Sequence, residues 1–142
     1  MSPRQVIQLP GAGHKAPIPA AVRIGNLLFS SAIGGRDPAT GEYSDRPEDQ
    51  ARQAFRNMAT VVRAAGGDVG DIAHVTVFLK DLADKKYVDE EWLAMFPDPE
   101  DRPARHAMTV DRGGRMLVQV EIIAVLDAAV LDTAVLDGGP AR

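Results

Sequence analysis

The chain has no cysteine. Disulfides, thiolate metal sites and a thiol nucleophile are excluded, and a reducing compartment fits. Histidine is scarce too. His14, His74 and His106 stand far apart, and none has a ligand spacing such as H-E-x-x-H, so no metal site is expected. No apolar run approaches the roughly 20 residues that a membrane-spanning helix needs. The N-terminal "MSPRQVIQLPGAGHKAP" has no apolar signal region, so secretion is not expected. Nor does one charge dominate. Sixteen Lys and Arg face twenty Asp and Glu, a net charge of -4 mixed along the chain, which argues against nucleic acid as a partner. The glycine-rich "IGGRDPATG" lacks the lysine and spacing of a phosphate loop. Ser30-Ser31 has no G-x-S-x-G elbow around it. What remains is a soluble, cytoplasmic chain of 142 residues, long enough to bury one real core.

The patterning predicts one domain over residues 1–126 and a tail over 127–142. An irregular arm rich in proline and glycine opens the chain, with a short strand at "RQVIQL". "AVRIGNLLFSSAI" reads as two strands about a Gly25-Asn26 turn, where both residues tolerate positive φ. "GGRDPATGEY" reads as a loop. The clearest helix follows, capped by Ser44 or Asp45, with Pro47 in its first turn and Gly66-Gly67 at its end. Ala51, Ala54, Phe55, Met58, Val61, Val62 and Ala65 form its apolar stripe. "DIAHVTVFLKD" is a strand with Val75, Val77 and Leu79 on one face. A second helix over "LADKKYVDEEWLAMF" buries Val88, Trp92, Leu93 and Phe96, and leaves Asp89, Glu90 and Glu91 solvated. Two last strands, Ala104 to Val110 and Met116 to Leu126, meet at the hairpin-like "DRGG". The order β-β-α-β-α-β-β predicts an α+β domain, with two helices on one face of a mixed or antiparallel sheet. In the tail "AVLD" recurs at Ala124, Ala129 and Ala134, a period of neither helix nor strand. It reads as a loosely ordered extension, or as an element that docks on a neighbouring subunit.

"RPARHAMTV" raises the functional question. Alternation puts Arg105, Ala107 and Thr109 on one face and His106, Met108 and Val110 on the other. Arg105 is either an edge-strand charge or a carboxylate clamp, for which the guanidinium fork is well shaped. On the last strand Val118, Val120, Ile122 and Ala124 make an apolar, core-facing row, whereas Leu117, Gln119, Glu121 and Ile123 make a half-polar one. A hairpin of these strands would bring polar groups from both into one cleft. One small domain cannot close such a cleft alone, and a subunit interface would supply the rest.

Several segments together resemble the Rid family, also called the YjgF or reactive intermediate deaminase family. They are "AVRIGNLLFSSAIGGRDPATGE", "VVRAAGGDVGDIAHVTVFLKDL", "YVDEEWLAMF", "RPARHAMTV" and "LVQVEIIAV", and the likeness runs from about Pro17 to Val125. It implies a chorismate-mutase-like fold and a homotrimer with clefts between subunits. It implies no cofactor and no metal. In active members a cleft arginine holds the substrate carboxylate. A glutamate on the last strand positions the water that converts an imine to a ketone and ammonia. Substrates of the family are enamines and imines of the 2-aminoacrylate type.

By this resemblance Arg105 stands at the family arginine and Ser31 at the serine of its "SGQ" segment. Ala32 replaces the glycine that follows, and its backbone N–H can still donate. Ile33 replaces the glutamine, Ile18 an aromatic residue, Asp89 an asparagine, and Ala107 a frequent cysteine. Gln119 stands where the water-positioning glutamate would be, while Glu121 keeps the second glutamate, about 7 Å along the strand. Glutamine can hydrogen-bond a water but cannot take its proton at neutral pH. Three functions are expected in turn. The first is a RidA-like deaminase with an altered pocket. The second is a specialised catabolic-pathway enzyme of the same fold, and the third a non-enzymatic trimer that binds small carboxylates.

Overall fold

The computed structural model describes residues 2–11, 14–111 and 113–126. The expectations for the tail, and for Arg112 in the "DRGG" turn, lie outside these residues.

Helix α1 runs from Pro47 to Ala64. Ala51, Ala54, Phe55, Met58, Val61, Val62 and Ala65 are all buried, as their spacing predicts. Its cap differs from expectation. Arg46 holds the N-cap position with no side-chain cap bond, and Pro47 opens the helix. Ser44 instead closes a local turn. Its Oγ accepts from the Arg46 N–H at 3.1 Å and donates to Asp49 at 2.8 Å. Asp45 pairs with Arg115. Proline at the first position has no N–H to satisfy, which lessens the need for a capping oxygen. At the other end Gly66 turns the chain at φ +93 and the Gly67 N–H reaches the Val62 carbonyl at 3.0 Å.

Helix α2, Lys85 to Met95, follows a 3-10 turn at Leu82–Asp84. Val88, Trp92 and Phe96 are buried, but Leu93 is 53% exposed, contrary to expectation. One residue beyond Trp92, it stands about 100° round the helix from the centre of that stripe.

Among the described residues seven strands form one mixed sheet: β1 Gln5–Ile7, β2 Ala21–Ile24, β3 Leu27–Ser30, β4 Ile33–Gly34, β5 Ile72–Leu79, β6 Ala104–Thr109 and β7 Val118–Val125. Their order is β1-β2-β3-β7-β5-β6, with β4 also paired to β7. The β2–β3 hairpin turns at Gly25-Asn26, and only Gly25 uses positive φ, at +60. That is the demand of a turn whose first central residue must be glycine. Leu28, Val75, Val77, Leu79, Val118, Val120, Ile122 and Ala124 face the helices and are fully buried. The other face is open. It exposes Leu27, Phe29, Ile123 and Val125, and Met108 on β6.

The last two strands are not a hairpin. β6 pairs parallel with β5, on the side away from β7, while β7 pairs antiparallel with β5 along its length. The cause is α2. A strand reached through a crossover helix returns parallel to the strand before it. The chain from β6 then passes over the end of β5, held by the Val110 N–H on Leu79 O at 2.8 Å and the Lys80 N–H on Leu117 O at 3.1 Å.

Candidate functional site

Strand pairing decides which side chains meet. Arg105 is in register with Val75 and Ala107 with Val77, so both point to the helix-covered face. Gln119 is in register with Phe78 and Glu121 with Thr76, so both belong to the open face. One chain therefore does not bring Arg105 together with Gln119 and Glu121, and the single cleft expected from a terminal hairpin is not formed within it. The expected residues fall into two half-sites.

The first half-site lies between β6 and α2. The Arg105 guanidinium stacks over the Trp92 ring, 4.9 Å from its centroid. Its Nη2 donates to Asp89 Oδ1 at 2.7 Å. Its Nη1 is buried with no hydrogen-bond partner among the described residues. Asp89 is thus not merely solvated, as its run of acids suggests. Lys85, one turn earlier on α2, donates to its other oxygen at 3.2 Å. Partial burial pushes the Asp89 carboxyl up. The hydrogen bonds from Arg105 and Lys85, with their charges, outweigh burial and hold it below the usual carboxylate value. Arg105 is a fixed, mostly buried cation with one arm taken by Asp89. Ala107, further along β6, is half-buried and packs against the core.

The second half-site is a cleft of about 470 Å³, set among β4, the first residues of β7 and the N-terminal arm. Ile18, Ala32, Gln119 and Glu121 line it, as do His14, Lys15, Gly34, Arg36, Tyr43 and Met116. Gln119 is only 6% exposed. Its Nε2 donates to the Met116 sulfur, and its buried Oε1 has no partner among the described residues. The Arg36 guanidinium lies 5.4 Å from the centre of the Tyr43 ring.

Two expected residues have other duties. Ile33 is 3% exposed and in register with Val120, which sends its side chain into the core rather than the cleft. Ser31 ties the N-terminal arm down, its Oγ donating to Pro19 O at 2.8 Å and its N–H to Ala20 O at 2.9 Å.

Buried amides on α1 set the cleft walls. Asn57 donates to the carbonyls of Gly34 and Arg36, both at 2.9 Å. Gln50 donates to Ser44 O and Arg115 O and accepts from the Leu117 N–H, each at 2.8 Å. A Cβ on Gly35 would collide with the backbone at Gln50, so only glycine lets this loop lie on the helix. Gln50, Asn57, Arg36, Tyr43 and the stacking role of Trp92 were all missed in the sequence. A signal existed for the two amides: Gln50 and Asn57 keep helical spacing with Ala54 and Val61, and polar residues within a buried stripe mark hydrogen bonds.

Among the described residues no cluster of three or more His, Cys, Asp or Glu is placed to hold a metal. None of their helices is long and apolar enough to cross a membrane.

Known proteins share this architecture. The family described as Endoribonuclease L-PSP matches residues 14–126. The Arabidopsis thaliana protein named Reactive Intermediate Deaminase A, chloroplastic, is 38% identical over 95 residues, which are 66% of this chain and 50% of that protein. The chain thus aligns with about half the length of that relative. The 2-iminobutanoate/2-iminopropanoate deaminase of Escherichia coli K12 is 37% identical over 111 residues, 77% of this chain and 87% of the enzyme. The crystal structure of RidA from an Antarctic Psychrobacter superposes with a TM-score of 0.78 at 33% identity, covering 87% of this chain and 100% of that one. An α+β sheet with two helices on one face, an edge-strand arginine and relatives of this similarity lead to one conclusion: the chain belongs to the Rid, or YjgF, family.

Proposed function

We propose that the protein is a RidA-like deaminase that hydrolyses imines and enamines bearing a carboxylate to 2-oxo acids and ammonia. The observation that carries this reading is Arg105: held against Trp92 and by Asp89, with 18% of its side chain exposed, it is a pre-organised half of a carboxylate clamp. The substrate carboxylate takes the exposed part of Arg105. Gln119 orients a water at the imine carbon, with Glu121 in the same cleft as the nearest carboxylate on that strand. Water adds across C=N, the nitrogen leaves as ammonia, and the carbonyl remains. No cofactor or metal takes part. The setting is the cytoplasm, where pyridoxal-phosphate enzymes release such imines, with no membrane or nucleic-acid partner.

The two half-sites lie on opposite faces of one sheet, so the complete site needs a second copy. A homotrimer with clefts between subunits brings β6 of one chain to the open face of the next. The exposed Leu27, Phe29, Ile123 and Val125, and the edge of β6, which no strand of the described residues pairs, support that assembly. Apolar Ile18 at the cleft suits a bulky substrate of a specialised catabolic pathway. The absence of a carboxylate at Gln119 favours a second reading, a trimer that binds small carboxylates without turnover.

The test mixes the protein with a dehydratase that generates 2-aminoacrylate and follows imine loss. Faster loss is expected, and Arg105→Ala should abolish it. No acceleration by the parent protein removes the deaminase reading for this substrate. Retained carboxylate binding without acceleration leaves the second reading.

A further inference from the structure

The Arg105 clamp is not an isolated cation. Asp89 Oδ1 accepts from Nη2 at 2.7 Å and Lys85 Nζ holds Asp89 Oδ2 at 3.2 Å, so Lys85, Asp89 and Arg105 form one contiguous row of alternating charge with a net charge of one positive unit. Arg105 keeps 18% of its side chain exposed and Asp89 40%, so any carboxylate that docks on the exposed part of Arg105 comes to rest beside the Asp89 carboxylate.

From this juxtaposition we propose that Asp89 makes the clamp selective for zwitterions, ligands whose carboxylate is flanked by a protonated nitrogen, over plain 2-oxo acid anions. The inference rests on the reading of Arg105 as a carboxylate clamp and adds the chemistry of the ligand to it. The carboxylate of a 2-iminio or 2-amino acid takes the exposed part of Arg105, and its cationic nitrogen lies against Asp89, whose oxygens keep unused lone pairs. A 2-oxo acid offers the carboxylate alone and meets repulsion. Like charges about 4 Å apart repel enough to lower affinity about fivefold even at the dielectric of water. Hydrolysis removes the cationic nitrogen, so the same pair that welcomes the substrate releases the product. Asp89 is a specificity residue here, not a base, since its ion pairs hold it in the weakly basic form.

Calorimetry with a matched pair of ligands, 2-oxobutanoate and 2-aminobutanoate, tests this on the full-length protein and on Asp89→Asn, Asp89→Glu and Arg105→Ala. The parent protein should favour the zwitterion. Asp89→Asn is isosteric and should bind 2-oxobutanoate about fivefold tighter, without a matching gain for 2-aminobutanoate. Asp89→Glu should keep the parent preference. An unchanged preference in Asp89→Asn, with both ligands lost in Arg105→Ala, overturns the role of Asp89 and leaves the clamp standing. Binding of both ligands unaffected by Arg105→Ala overturns the clamp and this inference together.

Discussion

Replacing Gln119 by glutamate, Gln119→Glu, should turn the cleft into a stronger catalyst. The side chain keeps its shape and gains what the amide lacks, a group that accepts a proton from water. A general base contributes about 10²- to 10⁴-fold. Gln119 is 6% exposed, so the new carboxyl would be poorly solvated and its pKa raised above the usual 4.3 or so, closer to the operating pH. Its stability cost should exceed the roughly 1–3 kcal/mol of an unpaired neutral group, because the new carboxyl is ionisable and buried and the Nε2 donation to the Met116 sulfur is lost. The assay compares 2-oxo acid release from dehydratase-generated imine with the spontaneous rate, across pH. The expected outcome is at least about a hundredfold gain with a new acidic limb in the pH–rate profile. A folded Gln119→Glu protein that binds 2-oxobutanoate as the parent does, yet hydrolyses imine no faster, would refute the placement of water at this position.

Three further outcomes follow from the packing. Trp92→Ala removes a buried ring, the platform under Arg105 and the edge-on contact with Phe96, whose centroid is 4.9 Å away. A loss of about 3–5 kcal/mol is expected, read as a lowered denaturant midpoint, with Trp92→Phe keeping much of it. Gly35→Ala forces a methyl into the Gln50 backbone and should cost about 1–3 kcal/mol in the same measurement, whereas Gly70→Ala, in open space, should not. The third outcome concerns pH. The folded state holds the Asp89 carboxyl below its unfolded value, so it binds fewer protons at that group than the unfolded state. The stability that this supplies is present above about pH 4 and is lost as pH falls through the lowered folded value. Asp89→Asn should flatten that acid limb in unfolding curves and leave the neutral region unaltered in slope.

Elements with a strong period needed no tertiary information. The α1 stripe, the core row of β5 and the core row of β7 are each specified by their own residues, because burial of one face is a local demand repeated at 3.6 or 2 residues. Gly25 announces its turn for the same reason, since few other residues accept its φ. The likeness to the Rid family, carried by contiguous segments such as "RPARHAMTV", was also available before any coordinates. The cap of α1 was misjudged at an element end, where a residue's neighbours come from outside the element, whereas Leu93 lies off the apolar stripe of α2 by its own helical angle.

What the sequence by itself determined, then, is which residues of each element face the same way. Only the tertiary structure decided how those faces are combined. Alternation places Arg105 opposite His106 within β6, and Gln119 opposite Val120 within β7, but it does not say which face of β6 is aligned with which face of β7. That depends on β5 standing between them and on α2 returning the chain parallel to β5. The consequence is the division of the site: Arg105 with Asp89 and Trp92 under the helices, Gln119 with Arg36, Tyr43 and Met116 on the open face. Asp89 and Arg105 are sixteen residues apart in sequence. Their contact is a product of helix-on-sheet packing, and no local period carries it.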